Sequence, residues 1–463
     1  VTGLTDLHIE ELPYQRDSAS LMQQLASLEG AAFLDSGLRS QANARFDILT
    51  ALPTASLLQY RDNINLVGNA ALSELLPAEF DIFSAVQWLI EQLHSSLAAQ
   101  DLPELAGLPF TGGAIGCLGY AARRDLVRFR HDGDQQTCPD ARIGVYHWAV
   151  TVDHHRQRTV LFFLPECATE TREQVLDCLN RPPDTPDFHL GQTFRSLMNR
   201  NSYNAAFDRL REWINAGDCY QANLAQCFVS QYEGHPLAAY LTLRQVSHSP
   251  FSAYVQLPEG AVLSLSPERF VSLHNGRALT QPIKGTRPRG NNAADDEANR
   301  QALLTSEKDR AENLMIVDLL RNDFGSICET GSVHVETLFE LHSFTSVHHL
   351  ISTVSGKLAP ANPASALLRA CFPGGSITGA PKIRAMQIID ELEPVPRTVY
   401  CGSIAWLGFN GNMDSSIGIR TLLCDREKIH CWGGGGIVAD SQCDQEYQES
   451  IDKISLLINT LQE

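Results

Sequence analysis

The stretch MDSSIGIRTLLCDREKIHCWGGGGIVADSQCDQEYQES (413–450) decides between two fold classes. Gly411–Cys424 and Lys428–Trp432 carry the β-branched and apolar residues of strands, and they run up to four glycines, Gly433–Gly436. An amphipathic helix over about Asp444–Leu461 follows. Gly434-x-Gly436-x-x-Ala439 fits the dinucleotide-binding fingerprint formally. A doubly wound sheet would need a second strand and a ribose-binding acid after that helix, and the sequence runs only to Glu463. Working outward, further strand-like runs are long and grouped: Val145–Val152, Thr159–Leu164, Phe251–Leu257, Ala261–Leu265, Arg269–Leu273, Val333–Leu341 and Leu350–Leu358. Helical spacing marks Tyr203–Ala216, Ser306–Asn322 and Lys382–Leu392. The polar stretch Gly285–Arg300 reads as a loop. Strands that cluster rather than alternate with helices predict an α+β fold with mostly antiparallel sheets.

The 463 residues are 43% hydrophobic and 19% charged, enough for a large core. A Pro/Asp-rich linker, Arg181–Asp187, separates an N-terminal region, 1–180, from a C-terminal region, 188–463. The net charge of −18 argues against nucleic acid or an anionic membrane as partner, and no apolar run is long enough to span a bilayer. Twelve scattered cysteines, no zinc spacing and no secretory leader point to buried free thiols in the cytoplasm.

Gly374-x4-Gly379 has P-loop spacing, but Ala380 and Pro381 stand where Lys and Ser/Thr are needed. Gly116-Cys117-Leu118-Gly119 lacks the glycine that a nucleophile elbow wants at position 115, which is Ile115, so Cys117 reads as a buried thiol. Asp309 and Glu312 share one side of a helix, and Glu446 and Glu449 share one side of another, with Lys453 a turn beyond. Two solvated faces and a site for a hard divalent cation both fit that spacing. Gly374–Pro381, with Thr378, is either a structural turn or an anion site at a helix start. Lys284, between Ile283 and Gly285, is either a surface lysine or a desolvated amine nucleophile.

Taken together and in order, GDCYQANLAQ (217–226), SLSPERF (264–270), PIKGT (282–286), SEKDRAENLMIVDLLRND (306–323), FPGGSITGAPK (372–382), CGSIAWL (401–407), MDSSIGIRT (413–421) and GGGGIVADSQCDQEYQES (433–450) resemble the chorismate-utilising enzymes. LDSG (34–37), ARFDI (44–48) and FTGGAIGCLGY (110–120) match the N-terminal part of the amino-transferring members more loosely. The resemblance implies one α+β unit of two large antiparallel β-sheets packed face to face, with helices outside and both regions interleaved.

Two positions sort the members. Gln221 stands where isochorismate and salicylate synthases carry a water-activating Lys. Lys284 stands where anthranilate synthases typically carry Ala, which favours members that aminate chorismate at C4 and leaves anthranilate synthase component I as the alternative. By resemblance, Lys284 is the nucleophile and Glu268 the general acid/base. Mg²⁺ is the expected cofactor, with Glu312 and Glu449 as principal ligands and Asp309 and Glu446 nearby. His349, Tyr400, Arg420, Gly435 and Lys453 match substrate-binding positions, with Thr286, Thr378 and Gln221 as further candidates. Ser36, Arg45, Phe46, Pro250 and Phe251 match a tryptophan pocket. Chorismate is the expected substrate, and a separate glutamine amidotransferase subunit the expected source of ammonia, for a product on the route to p-aminobenzoate and folate.

Overall fold

The computed structural model describes residues 7–37, 45–94, 105, 107–130, 138–184, 186–344 and 347–463; Ala44 of the ARFDI segment lies outside them. Two antiparallel sheets form the frame. The larger runs His8–Leu12, Arg158–Phe163, Trp148–Asp153, Phe46–Thr50, Ala32–Asp35, Phe251–Leu257, Gly260–Ser266, Thr421–Cys424, Lys428–Ile437, Gln221–Gly234 and Phe188–Leu190. The smaller runs Ile283–Pro288, Val347–Lys357, Arg277–Thr280, Arg269–His274, Met413–Ile417, Ser403–Gly408, Gly113–Leu118, Ala141–Tyr146, Ala55–Tyr60 and Asn63–Val67. Strands from before and after the 181–187 linker pair in both sheets, as Ala32–Asp35 does with Phe251–Leu257 and Gly113–Leu118 with Ser403–Gly408.

The sheets pack face to face. Val255 and Val262 of the larger sheet share one buried cluster with Val271, Ile404 and Ala405 of the smaller. Strand side chains alternate between faces, so the outer faces need covering too. Leu21, Leu25, Val175, Leu237, Tyr240, Leu243, Ile454 and Leu457, from four helices, cover the larger sheet. Among the described residues no helix is long and apolar enough to cross a membrane.

Four departures from the sequence reading shape the fold around the site. Val145–Val152 is two strands, broken at His147, because the chain passes there from the smaller sheet to the larger. Gly411–Cys424 is likewise two strands, Met413–Ile417 and Thr421–Cys424, in different sheets. Its neighbours Gly260–Ser266 and Arg269–His274 make the same crossing beside it. The two corners are tied by Ile417 N–H to the Glu268 carbonyl, 3.1 Å, and Leu265 N–H to the Arg420 carbonyl, 3.0 Å. Glu268 and Arg420 are therefore corner residues.

The polar stretch 285–300 is no loop. Ile283–Pro288 is a strand and Ala293–Leu304 a helix. Asn292 caps that helix by accepting from Ala294 and Asp295 N–H, and Asp295 and Asp296 sit in its first turn, where acids are favoured. Polar composition hid a helix whose stability comes from its cap.

The strand expected to stop at Trp432 continues through the glycines to Ile437. The terminal helix, Cys443–Gln462, lies directly on it, and a Cβ at Gly433 would collide with the Ser450 carbonyl. Glycine here is a packing requirement. The Gly374–Pro381 turn forms a short helix, Gly375–Thr378, and a two-residue strand, Gly379–Ala380, paired with Gln221–Ala222.

Candidate active site

Glu268 is buried at its corner, 7% exposed. Burial pushes its carboxyl up to about 7, against the pull of the Lys284 charge, the Ile283 N–H and the Ser376 hydroxyl. Ser376 Oγ donates to Glu268 Oε1 at 3.3 Å, and Lys284 Nζ donates to the Ser376 carbonyl at 3.3 Å. One serine of the Gly-rich turn thus bridges the lysine and the acid. Burial lowers the Lys284 ammonium below its ordinary range, opposed by Glu312 and Glu268.

The aim of Lys284 depends on a β-bulge. Lys284 pairs with Leu350 and Thr286 with His349, so Gly285 is the extra residue. Its φ of +80° suits glycine, and a Cβ there would press on Leu303 and Asp309. The bulge also sets Thr286 Oγ1 2.9 Å from His349 Nδ1. Burial, with the nearby Arg420 charge, lowers His349 to about 4, so the ring is neutral at pH 7. Arg420 has φ +49° at its corner, and burial lowers its guanidinium. Among the described residues no carboxylate pairs with it. A partly buried guanidinium with no carboxylate partner among the described residues is suited to bind an anion.

The carboxylates come from the helices Glu307–Gly325 and Cys443–Gln462. Burial raises Glu312 and Glu446; Glu446 also raises Glu312, and Glu449 raises Glu446. For Glu449 burial is outweighed by Lys453, 2.7 Å away, and its carboxyl is lowered. A Cβ at Gly435 would lie 3.2 Å from Glu446 Oε2 and 3.7 Å from both Glu449 Oε1 and Lys453 Nζ, so this glycine leaves the space where they meet. Lys453 Nζ also donates to the Gly434 carbonyl at 3.0 Å. Among the described residues no three acids are drawn into a preformed metal cluster. The donor set still fits a hard cation: oxygen ligands only, from two helices, with Glu446 raising Glu312 and Glu449 raising Glu446, a repulsion that a cation would relieve. Asp309 also raises Glu312, and it pairs with Arg287 at 2.9 Å.

Other expected residues lie differently. The Thr378 hydroxyl is buried and donates to the Gly374 carbonyl at 2.9 Å, so it serves the turn. Tyr400 is 4% exposed, its ring parallel to Trp432 at 6.4 Å and beside Arg397, in the core and not among the carboxylates. Gln221 is 1% exposed, lies against Gly436, and neither its Nε2 nor its Oε1 has a partner among the described residues. An orphaned buried amide costs free energy unless a ligand satisfies it. Ser36, Phe46, Pro250 and Phe251 line one cavity of about 170 Å³, with Arg269 and Asp414 paired in its wall. Arg45 does not line it; it pairs with Asp153 at 2.7 Å and covers the Phe46 ring at 4.4 Å.

Sequence reasoning missed Ser376. Its only signal was its place in the Gly-rich turn, because its partners lie 92 and 108 positions away.

Residues 69–459 match the family described as chorismate binding enzyme. Aminodeoxychorismate synthase component 1 of Klebsiella aerogenes is 45% identical over 461 residues, covering 97% of this chain and 98% of that protein. The protein of the same name from Escherichia coli (strain K12) is 42% identical over 453 residues, covering 97% and 98%. Among solved structures, anthranilate synthase component I from Streptococcus pneumoniae TIGR4 superposes with a TM-score of 0.76 at 32% identity, over 91% of this chain and 93% of that one. The menaquinone-specific isochorismate synthase of Escherichia coli shares the fold, with a TM-score of 0.73 at 16% identity over 100% of this chain and 96% of that one. With the match spanning most of its length, the chain belongs to the chorismate binding enzyme family.

Proposed function

We propose that this chain converts chorismate and ammonia to 4-amino-4-deoxychorismate and water, as an aminodeoxychorismate synthase component I. The observation that carries this reading is Lys284, a lysine with a lowered pKa, bridged through Ser376 to a carboxyl poised near neutrality. Relatives that bear the name aminodeoxychorismate synthase component 1, at 42–45% identity over nearly the whole chain, support it.

The residues divide the work as follows. Arg420 holds a substrate carboxylate with a guanidinium that no acid among the described residues neutralises. Lys284, its ammonium form disfavoured by burial, supplies the amine that attacks C2 of the ring. The ring double bond moves and the C4 hydroxyl departs. Glu268 donates the proton that makes it water, its carboxyl being raised by burial to about 7. Such assistance is worth roughly 10²–10⁴ in rate. Neutral His349, oriented by Thr286, lies beside the departing group. Ammonia then adds at C4, the double bond returns, and Lys284 leaves C2. Gln221 presents an amide rather than a base, which withholds water activation at C2.

Glu312 and Glu449, with Glu446 beside them, would hold Mg²⁺, and Asp309 is its more distant neighbour. When bound, the ion neutralises the ring carboxylate. Ammonia comes from a separate glutamine amidotransferase subunit, and the product belongs to p-aminobenzoate and folate synthesis in the cytoplasm. The 170 Å³ cavity at Ser36, Phe46, Pro250 and Phe251 accepts tryptophan.

The test is the product. Purified chain given chorismate, ammonium ion and Mg²⁺ should form 4-amino-4-deoxychorismate without pyruvate. Pyruvate with anthranilate fluorescence would move the assignment to anthranilate synthase component I.

A further inference from the structure

Ser376 meets both reacting groups at once. Its carbonyl accepts from Lys284 Nζ and its hydroxyl donates to Glu268 Oε1, each at 3.3 Å. The residue is half-buried, with buried neighbours on either side. Its turn is held from several directions. The Thr378 hydroxyl donates to the Gly374 carbonyl at 2.9 Å, and Arg397 donates to the Ile377 carbonyl at 3.1 Å. Arg397 is itself buried and paired with Glu393 at 2.6 Å. Gly379 pairs with Ala222 of the larger sheet. On the helix side, Leu319 packs so close to Gly375 that a Cβ there would collide with it. Polar groups fixed in this way need no reorganisation when charge appears beside them.

In the proposed reaction Glu268 changes charge twice. As the C2–N bond to Lys284 forms and the C4–O bond breaks, Glu268 gives its proton to the departing hydroxyl and becomes a carboxylate. The adduct nitrogen is then a secondary ammonium. As ammonia forms the C4–N bond and the C2–N bond breaks, Lys284 leaves as a neutral amine, and the new C4 ammonium returns one proton to Glu268. A buried carboxylate must therefore survive between the two steps. Burial disfavours it, and it is favoured by the Lys284 charge, the Ile283 N–H, the Ser376 hydroxyl and Lys453 of the terminal helix. The chain neighbour Arg269 is paired with Asp414 instead. Among these groups only Ser376 hydrogen-bonds both reacting side chains.

On the reading of Lys284 as nucleophile and Glu268 as acid, we propose that Ser376 is the positioning residue that couples them: its carbonyl aims the Lys284 amine, and its hydroxyl steadies the Glu268 carboxylate between the two steps.

Ser376→Ala deletes the hydroxyl and keeps the carbonyl that holds Lys284. In ammonium buffer with Mg²⁺, the full chain with this change should consume chorismate about tenfold more slowly at pH 7, with its KM within about twofold of wild type. The alkaline fall of kcat/KM should move up by about one pH unit, the tenfold change expected when a hydrogen bond to a charged group is lost. Ser376→Thr keeps a hydroxyl and should keep the wild-type pH profile. A second measurement needs no substrate. Infrared titration of the ligand-free chain, taken as the difference from Glu268→Gln, isolates the protonated Glu268 carboxyl, and its midpoint should rise by about one unit in Ser376→Ala. Circular dichroism confirms folding, and Ser376→Cys, a weak donor, takes the place of an alanine variant that does not fold. An unshifted midpoint, an unmoved alkaline limb, a loss confined to KM, or a threonine variant that shifts the profile as alanine does would each overturn the role of Ser376. Activity is followed as chorismate consumption and the carboxyl without substrate, so a product other than 4-amino-4-deoxychorismate would sink that assignment and leave both Ser376 measurements decisive.

Discussion

Glu268→Gln should make the protein more stable at alkaline pH while disabling it. The glutamine keeps the size of the acid and cannot ionise. In the folded chain the Glu268 carboxyl lies at about 7, against an ordinary 4.5. A carboxyl raised on folding binds more protons in the folded state than in the unfolded state throughout that window. Stability therefore falls as pH rises from about 4.5 to 7 and stays reduced above it. At 1.36 kcal/mol per pH unit the gap is worth about 3 kcal/mol, a ceiling because Lys284 and Mg²⁺ both ease the ionised form. The variant escapes that cost at pH 8 and gains little near pH 4.5, where the folded carboxyl is protonated and the unfolded one is half protonated. The assay is thermal melting of both proteins, without ligands, at pH 5 and pH 8. The variant should melt several degrees higher at pH 8, with the gap closing at pH 5. Chorismate consumption in ammonium buffer should fall by roughly 10²–10⁴, and the decline in rate as pH rises through the Glu268 pKa should vanish. An identical melting difference at both pH values would refute the burial argument. Retained activity with an unchanged pH profile would remove Glu268 from the chemistry.

Lys284→Ala should lose nearly all product formation while still binding chorismate, and Lys284→Arg should not recover it, since a guanidinium stays protonated; peptide mapping of wild type quenched with chorismate and no ammonia should place an adduct on the Lys284 peptide, and full activity in the alanine variant would end the covalent role. Glu449→Gln should raise the Mg²⁺ concentration needed for half-maximal rate with the fold intact by circular dichroism; an unchanged titration takes Glu449 out of the site. Gly433→Ala should cost more than about 2 kcal/mol in melting experiments, because its methyl would meet the Ser450 carbonyl, and a change under half of that would mean the terminal helix shifts freely. The purified chain should turn over ammonium but not glutamine, and glutaminase activity in the chain alone would contradict the need for a partner subunit.

Long apolar strands, the N-caps at Ser306, which accepts from the Asp309 N–H, and at Asn292, and the amphipathic spacing of the terminal helix are local properties, legible one segment at a time. Of these the Asn292 cap was overlooked, because the polar residues on both sides of it read as loop, while Arg289 pairs across it with Asp296 and Arg287 pairs with Asp309 of the next helix. Helical spacing singled out Glu312 and Glu449, and the Ile283–Gly285 setting singled out Lys284, each with a bland reading still open; motif order, not a physical feature of their own segments, gave them and Glu268 their expected roles. A lysine beside a glycine has no visible pKa, and its perturbation comes from burial and from Glu312 and Glu268, which other strands and helices deliver.

By itself the sequence determined the antiparallel α+β class, the order of the motifs and the residue types able to do amine, acid and cation chemistry, since composition and periodicity are written along the chain. Only the tertiary structure decided which of them meet. Two neighbouring chain segments cross together between the sheets, and that shared corner sets Glu268 and Arg420 side by side. The Gly285 bulge aims Lys284 at it, Ser376 arrives from 92 positions away, and the glycine strand lets the terminal helix bring Glu446, Glu449 and Lys453 into reach. The same packing turns Thr378 inward and leaves Tyr400 in the core. Proximity across a hundred residues is a property of sheet crossings and close backbone approach, and neither leaves a periodic trace in the sequence.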